Sequence, residues 1–211
     1  MESPHTAALP ATAPPDQDEH VRTRLLNAAV RVFDRKGYAA ASVREVAELA
    51  GVTKPALYYH FGSKEGLLLA ILRQAEAQVV SAMDRALART GTARGRILDL
   101  CADVYALFGE NVSVARVAHA VFLGPPDGAP PFDVAVFEAR FREAIERIAS
   151  DGIESGELRN VSTTDLALAV MGILEGCTDR QLHPAFEPVG VDGVRRLMDL
   201  LFDGVMIAPR A

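Results

Sequence analysis

The sequence predicts an all-α protein of about nine helices, with a small N-terminal unit followed by a larger helical body. Three observations predict it. Apolar residues recur at helical spacing almost throughout the 211 residues, and no stretch alternates as a strand would. Gly, Pro and Ser fall between the periodic stretches, where helix caps and turns need them. The charge is also split: Val21–Gly66 carries eight Lys/Arg against four Asp/Glu, whereas from Leu67 onward fourteen face twenty. The net charge of −6 hides a basic front on an acidic body, the balance of a protein that touches phosphates with one part only.

Residues 1–19 hold four of the twelve prolines and no Lys or Arg, so they read as a disordered tail and not as a signal peptide. Helix one is expected over His20–Lys36, with Val21, Leu25, Ala28, Ala29, Val32 and Phe33 on one face and Gly37 closing it in a left-handed cap. Helix two begins after Ser42, which forms a capping box with Glu45. Gly51 supplies a turn, Thr53 caps helix three, and Pro55 sits where a missing N–H is harmless. Gly62 ends that helix and Ser63 opens a long fourth one over Lys64–Arg89. Further helices are expected over Arg94–Phe108, Val112–Leu123, Phe132–Ser155, Ser162–Gln181 and Val191–Ile207, with a loop at Gly124–Pro131. The domain boundary is placed near residue 66, giving units of 20–66 and 67–211.

Several function classes are disfavoured. Cys101 and Cys177 lie far apart and outside any CxxC or Cys/His cluster, so both are expected as core residues, with no structural zinc and no cofactor. No apolar run is long enough for a membrane span, and a cytosolic protein is expected. The five histidines are scattered without spaced carboxylate or cysteine partners, and no HExxH, GxSxG or phosphate-cradling loop is present, so an enzyme is not expected. Asp99 and Asp103 share a helix face that reads as solvated.

The segment Ala41–Leu68 reads as two short helices around a tight glycine turn. Val46, Val52, Leu57 and Phe61 form its inside, and Ala47 is small enough for the helices to cross. Lys54, Ala56, Tyr58, Tyr59 and His60 are left outside, a heavy aromatic load for so short a helix. Contact with a DNA groove accounts for it, because phenol hydroxyls reach phosphates and ring faces or methyl groups touch thymine. A half-buried Tyr58 and a solvated Lys54 are the plainer reading of single residues. The turn, the two caps and the local positive charge together favour DNA.

This segment resembles the N-terminal domain of the TetR family of bacterial transcriptional regulators. The family's Ala-Gly-Val turn, Tyr-x-His-Phe run and following lysine stand here as Ala50-Gly51-Val52, Tyr58-Tyr59-His60-Phe61 and Lys64, a match over residues 20–66. The resemblance implies that Val43 and Arg44 meet the DNA backbone or groove edge. Thr53, Lys54, Pro55 and Ala56 would face the bases, while Tyr58, Tyr59, His60 and Lys64 would grip phosphates. Arg44 and Lys54 are the favoured base readers, since guanine N7 and O6 accept from either. Val43 departs from the frequent threonine and cannot hydrogen-bond, which puts a base contact there in doubt.

One such unit offers too little surface for useful specificity, so a twofold homodimer on a near-palindromic operator in double-stranded DNA is expected. Gly172 and Gly176 lie on one helical face, where a partner helix, close packing within the protomer or room for a ligand would each account for them. The resemblance implies a dimer interface from the last two helices, here with Gly172, Gly176, Val194, Leu197 and Leu201. It also implies a small-molecule effector among the middle helices, where Tyr105, Phe108, Arg116, His119, Phe122, Phe137, Phe141, Met171 and Cys177 are the candidates. Ordinary core packing is the competing reading of each. The expected function is a repressor released by a small, largely apolar effector, with helix four as the lever. The alternatives are control by a protein partner or action as an activator.

Overall fold

The computed structural model describes residues 15–123, 130 and 132–204. Among these residues there are nine α-helices and no strand: α1 (Pro15–Ala40), α2 (Val43–Ala50), α3 (Lys54–Phe61), α4 (Lys64–Ala88), α5 (Ala93–Glu110), α6 (Val112–Leu123), α7 (Val134–Glu154), α8 (Thr163–Leu182) and α9 (Gly190–Asp203). The expected tail over residues 1–14, most of the Gly124–Pro131 loop and the end of the last helix beyond Gly204 lie outside the described residues.

The expected caps form. The Ser42 hydroxyl accepts from the Glu45 N–H while the Glu45 carboxylate accepts from the Ser42 N–H, each at 3.2 Å. Thr53, Ser63 and Ser162 accept from Ala56, Gly66 and Asp165, which satisfies one free donor at the start of each of α3, α4 and α8. Gly51 takes the left-handed conformation (φ 63°, ψ 37°), so the turn between α2 and α3 is made without Cβ strain.

Two expectations at α1 need correction. The helix starts at Pro15, five residues before the expected start at His20, because Asp16–Glu19 are polar and leave no periodic signal. Gly37 breaks the helix at φ 78°, ψ 161°, an extended glycine conformation and not the left-handed cap the sequence suggested.

Two hydrophobic clusters organise the chain. The first joins α1, α2, α3 and the start of α4 around Leu25, Val46, Leu57 and Leu68, and it takes in Val117 and Ala118 of α6. The second gathers the rest of α4 with α5, α7, α8 and α9 around Ile97, Leu100, Ile145, Ile148 and Met198. Helix α4 runs through both, with Leu67, Leu68, Ile71 and Leu72 in one and Val79, Ala82, Met83 and Ala86 in the other. The core of the reading unit thus continues past the boundary expected near residue 66, into α4 and α6. Because α6 as well as α2 packs on α1, that helix buries Leu26 and Val30 in addition to the expected stripe.

Ion pairs clasp α9 to α5. Arg94 binds Asp199 at 2.7 Å and Asp203 at 2.6 Å, and Arg195 binds Asp99 at 2.9 Å. Asp99 and Asp103 thus form a paired face, with Arg89 reaching both at 3.2 and 3.3 Å, and not the merely solvated face expected.

Candidate nucleic-acid interface and ligand cavity

The short helix α3 is seated by a single fully buried side chain, Leu57, with Val46 and Ala47 of α2 beneath it. Arg24 of α1 fixes the turn before it. Its guanidinium donates to the Ala50 carbonyl at 2.9 and 2.6 Å and to the Gly51 carbonyl at 2.8 Å, satisfying acceptors that the end of α2 leaves free. Nothing in the sequence marked Arg24, since its partners are backbone atoms 26 and 27 residues away.

With α3 held this way, Lys54, Pro55, Tyr58 and Tyr59 point outward. The two tyrosines are 51% and 72% exposed, which is unusual for rings this large and leaves both available to a partner. Thr53 is exposed beside them, and Ala56 and Val43 are half-buried, Val43 against the first cluster. Arg44 is exposed, with its Nε on Glu48 at 2.7 Å one turn along, so reaching a base requires it to leave or share that carboxylate.

Two residues expected outside are turned inward. The His60 side chain is only 7% exposed, and its Nε2 lies 3.6 Å from Asp18 in the first turns of α1. The Lys64 ammonium folds back under the unit and donates to the Ala39 carbonyl at 3.3 Å and the Ala41 carbonyl at 2.8 Å, lying 4.2 Å from the Tyr38 ring centroid. Burial holds that ammonium below the usual lysine range. His60 holds α3 against α1, and Lys64 holds the start of α4 against the end of α1, which spacing alone could not reveal.

The body contains a cavity of about 240 Å³ between α4, α5, α6, α7 and α8. Six of the nine expected effector residues line it: Phe108, His119, Phe122, Phe137, Phe141 and Met171. Phe122 and Phe137 stack with ring centroids 5.9 Å apart. Three candidates do not line it. The Tyr105 hydroxyl accepts from the Gly190 N–H at 3.1 Å, tying α5 to α9. Cys177 packs in the second cluster with Cys101; burial pushes the Cys101 thiol up to about 12 and raises the Cys177 thiol too. Arg116 turns away to donate to the Leu182 carbonyl at 2.7 Å. Thr178 was missed, although a threonine one turn after Leu174 on the apolar face of α8 was a visible signal.

The same α6 that walls the cavity is bonded to the reading unit. The Ser113 hydroxyl donates to the Asp34 carboxylate of α1 at 2.7 Å, and an Arg116 guanidinium nitrogen stands 3.8 Å from that carboxylate. Arg116 therefore spans from α1 to the end of α8 instead of facing a ligand.

On the outer side of α8, a Cβ added at Gly172 or Gly176 would meet nothing within 4 Å, which removes close packing within the protomer as their explanation. Neither glycine lines the cavity. Leu168, Leu197 and Leu200 are exposed on α8 and α9 at 53%, 37% and 54%. Val194 does not belong with them, being fully buried in the second cluster, and Leu201 is half-buried against it. Among the described residues, no helix is long and apolar enough to cross a membrane, and no group of three or more His, Cys, Asp or Glu could hold a metal ion.

Residues 25–71 match the family described as bacterial regulatory proteins, tetR family. Over 76 residues the chain is 46% identical to the HTH-type transcriptional activator FasR of Mycolicibacterium smegmatis, a match covering 36% of this chain and 35% of that protein. The chain thus matches between 17% and 35% of the length of such curated relatives. Whole-chain similarity comes from solved structures. The TetR family regulator PfmR of Thermus thermophilus superposes with a TM-score of 0.72 at 27% identity, covering 87% of this chain and 100% of that one. The transcriptional regulator FadR of Bacillus subtilis, solved with stearoyl-CoA, shares the fold at a TM-score of 0.68 and 18% identity, over 87% and 99% of the two chains. The front of the chain carries the match to the tetR family, and the chain as a whole has the fold of TetR-family transcriptional regulators.

Proposed function

We propose that the protein is a homodimeric, sequence-specific DNA-binding repressor that leaves a near-palindromic operator when a small, largely apolar effector enters the cavity. The observation that carries this reading is the double engagement of α6. It walls the cavity through Ala115, Ala118 and His119 and is bonded to α1 through Ser113 and Asp34. A ligand that shifts α6 acts on the helix against which the reading unit is built. The continuous α4 is the second lever, since Ala75, Glu76, Gln78 and Val79 face the cavity just beyond the first cluster.

On the DNA, Lys54 and Arg44 read base edges, Tyr58 and Tyr59 meet phosphates, and Val43, Thr53, Pro55 and Ala56 complete the contact surface. His60 acts by positioning α3, and Lys64 by fixing the start of α4 against the end of α1. The partner protomer docks on the open glycine face of α8 together with Leu197 of α9, which leaves two reading helices to span half-sites a helical turn apart. By linkage, an effector that favours the wrong spacing weakens operator binding by the same coupling, about 1–3 kcal/mol or roughly 5–150-fold.

Selection of genomic fragments by the purified full chain, followed by footprinting at near-physiological salt, tests the reading. A protected near-palindrome supports the dimeric reader, and sequence-blind, salt-sensitive binding alone would refute it. A transcription assay on the selected fragment then decides the sign. Similarity to the activator FasR over 76 residues makes activation the second reading, because the same DNA contacts serve either sign.

A further inference from the structure

Two polar atoms on the cavity wall are buried without a hydrogen-bond partner among the described residues, Thr178 Oγ1 of α8 and His119 Nε2 of α6. Thr178 is only 5% exposed, so its hydroxyl is cut off from bulk solvent. The His119 nitrogen has Asp179 Oδ1 at 3.7 Å, beyond hydrogen-bond reach. A buried polar group left unpaired is costly, and in a native protein it calls for a partner. A hydroxyl both donates and accepts, and the imidazole nitrogen offers one further hydrogen-bonding position.

The charges around the cavity narrow the ligand further. Glu76, Glu138 and Glu175 stand on its lining, and no Lys or Arg does among the described lining residues. An anion entering here would lose its water without gaining a cation from the lining. A cation gains little, because Glu76 and Glu138 already have Arg140 and Arg142 at 3.9 Å and Glu175 is exposed to solvent. We infer that the cavity takes an uncharged lipophile with a single hydrogen-bonding head, such as a hydroxyl, phenol or ketone, which satisfies Thr178 and His119. Carboxylates and acyl thioesters of coenzyme A are excluded, despite the fold shared with a regulator solved with stearoyl-CoA. This inference rests on the effector reading above and specifies its ligand.

The test uses two series of equal skeleton and different head group on the full chain at neutral pH: 2-naphthol, 2-naphthoate and 2-naphthylmethylammonium, and 1-decanol, decanoate and decylammonium. Titration calorimetry is expected to show the alcohol of each series binding about tenfold or more tighter than its charged partners, the scale of one buried hydrogen bond or less. Thr178→Val removes the orphaned hydroxyl at equal volume. It should raise the Tm of the ligand-free protein while cutting alcohol affinity several-fold, and Thr178→Ser should restore the affinity. Opposite signs in stability and binding separate a ligand contact from a merely structural threonine. Tighter binding of a carboxylate or an ammonium, or unchanged alcohol affinity in Thr178→Val, overturns the inference and leaves the effector reading standing. Failure of all six probes to bind overturns both.

Discussion

The reading unit and the cavity-bearing body are built from the same element, the amphipathic helix, yet they use it differently. In the reading unit, α2 and α3 are eight residues each and gain little from length, so caps and one buried leucine hold them. Its outward face stays polar and aromatic because nothing in the protomer covers it. In the body, α5 is surrounded by α4, α7, α8 and α9, and its residues are sorted by neighbours that the chain reaches only much later. A local code writes the first region and long-range packing writes the second. Helix α6 belongs to the body in sequence but to the reading unit's core in space, and that mismatch joins the cavity wall to α1, on which α3 packs.

The comparison can be broken most severely at Leu57, the one fully buried residue of α3. Leu57→Ala should cost about 2–5 kcal/mol in chemical denaturation. Specific DNA binding should be lost with it, whereas cavity ligands should still bind, because the second cluster does not contain this residue. Simultaneous loss of both activities would show that the two regions do not behave separately.

A sharper and smaller effect is expected at Lys54, which is exposed and contributes nothing to either cluster. Lys54→Ala should leave the Tm nearly unchanged while weakening specific operator binding by about 1–3 kcal/mol. An equal loss on random DNA would reassign Lys54 from base reading to phosphate contact.

The capping box tests the local code itself. Ser42→Ala should cost about 1 kcal/mol of stability. The hydrogen bond from Lys36, with lesser help from Ser42, holds the Glu45 carboxyl below the usual carboxylate range. Its folded pKa is depressed, so its contribution is present above the ordinary carboxylate value and is lost as pH falls through the folded value. An acid titration of stability should therefore be shallower for Glu45→Gln than for the parent chain. Superimposable acid limbs would remove Glu45 from the account.

The change most informative about coupling is expected at the α1–α6 bond. Ser113→Ala removes the 2.7 Å hydrogen bond to Asp34 and should cost about 0.5–1.5 kcal/mol. Operator affinity without ligand should stay close to that of the parent, and ligand affinity likewise, while ligand-driven release from the operator shrinks. Release of undiminished size would assign the coupling to α4 alone.

By itself the sequence determined the helical class, the caps at Ser42, Thr53, Ser63 and Ser162, the turn at Gly51 and the exposed tyrosines of α3. Each depends on residues within a turn or two of one another, and backbone donors near a helix end are satisfied or not on that scale. Six of the aromatic, histidine and methionine side chains that it turned inward line the cavity, because helical periodicity separates an inward stripe from an outward one. Periodicity says that a residue faces inward and not what it meets there. Tyr105, Cys177 and Val194 faced inward and met core or backbone; Arg116 reached across to α8 and α1. His60 and Lys64 carried the motif letters, yet their side chains are held by Asp18, Ala39 and Ala41, partners fixed only when α3 and α4 pack on α1. The orphaned Thr178 hydroxyl and the α6 bridge likewise exist only once five helices close around one space. Local hydrogen-bond satisfaction is written in neighbouring residues, whereas a cavity and the connection that leads out of it are properties of how helices meet.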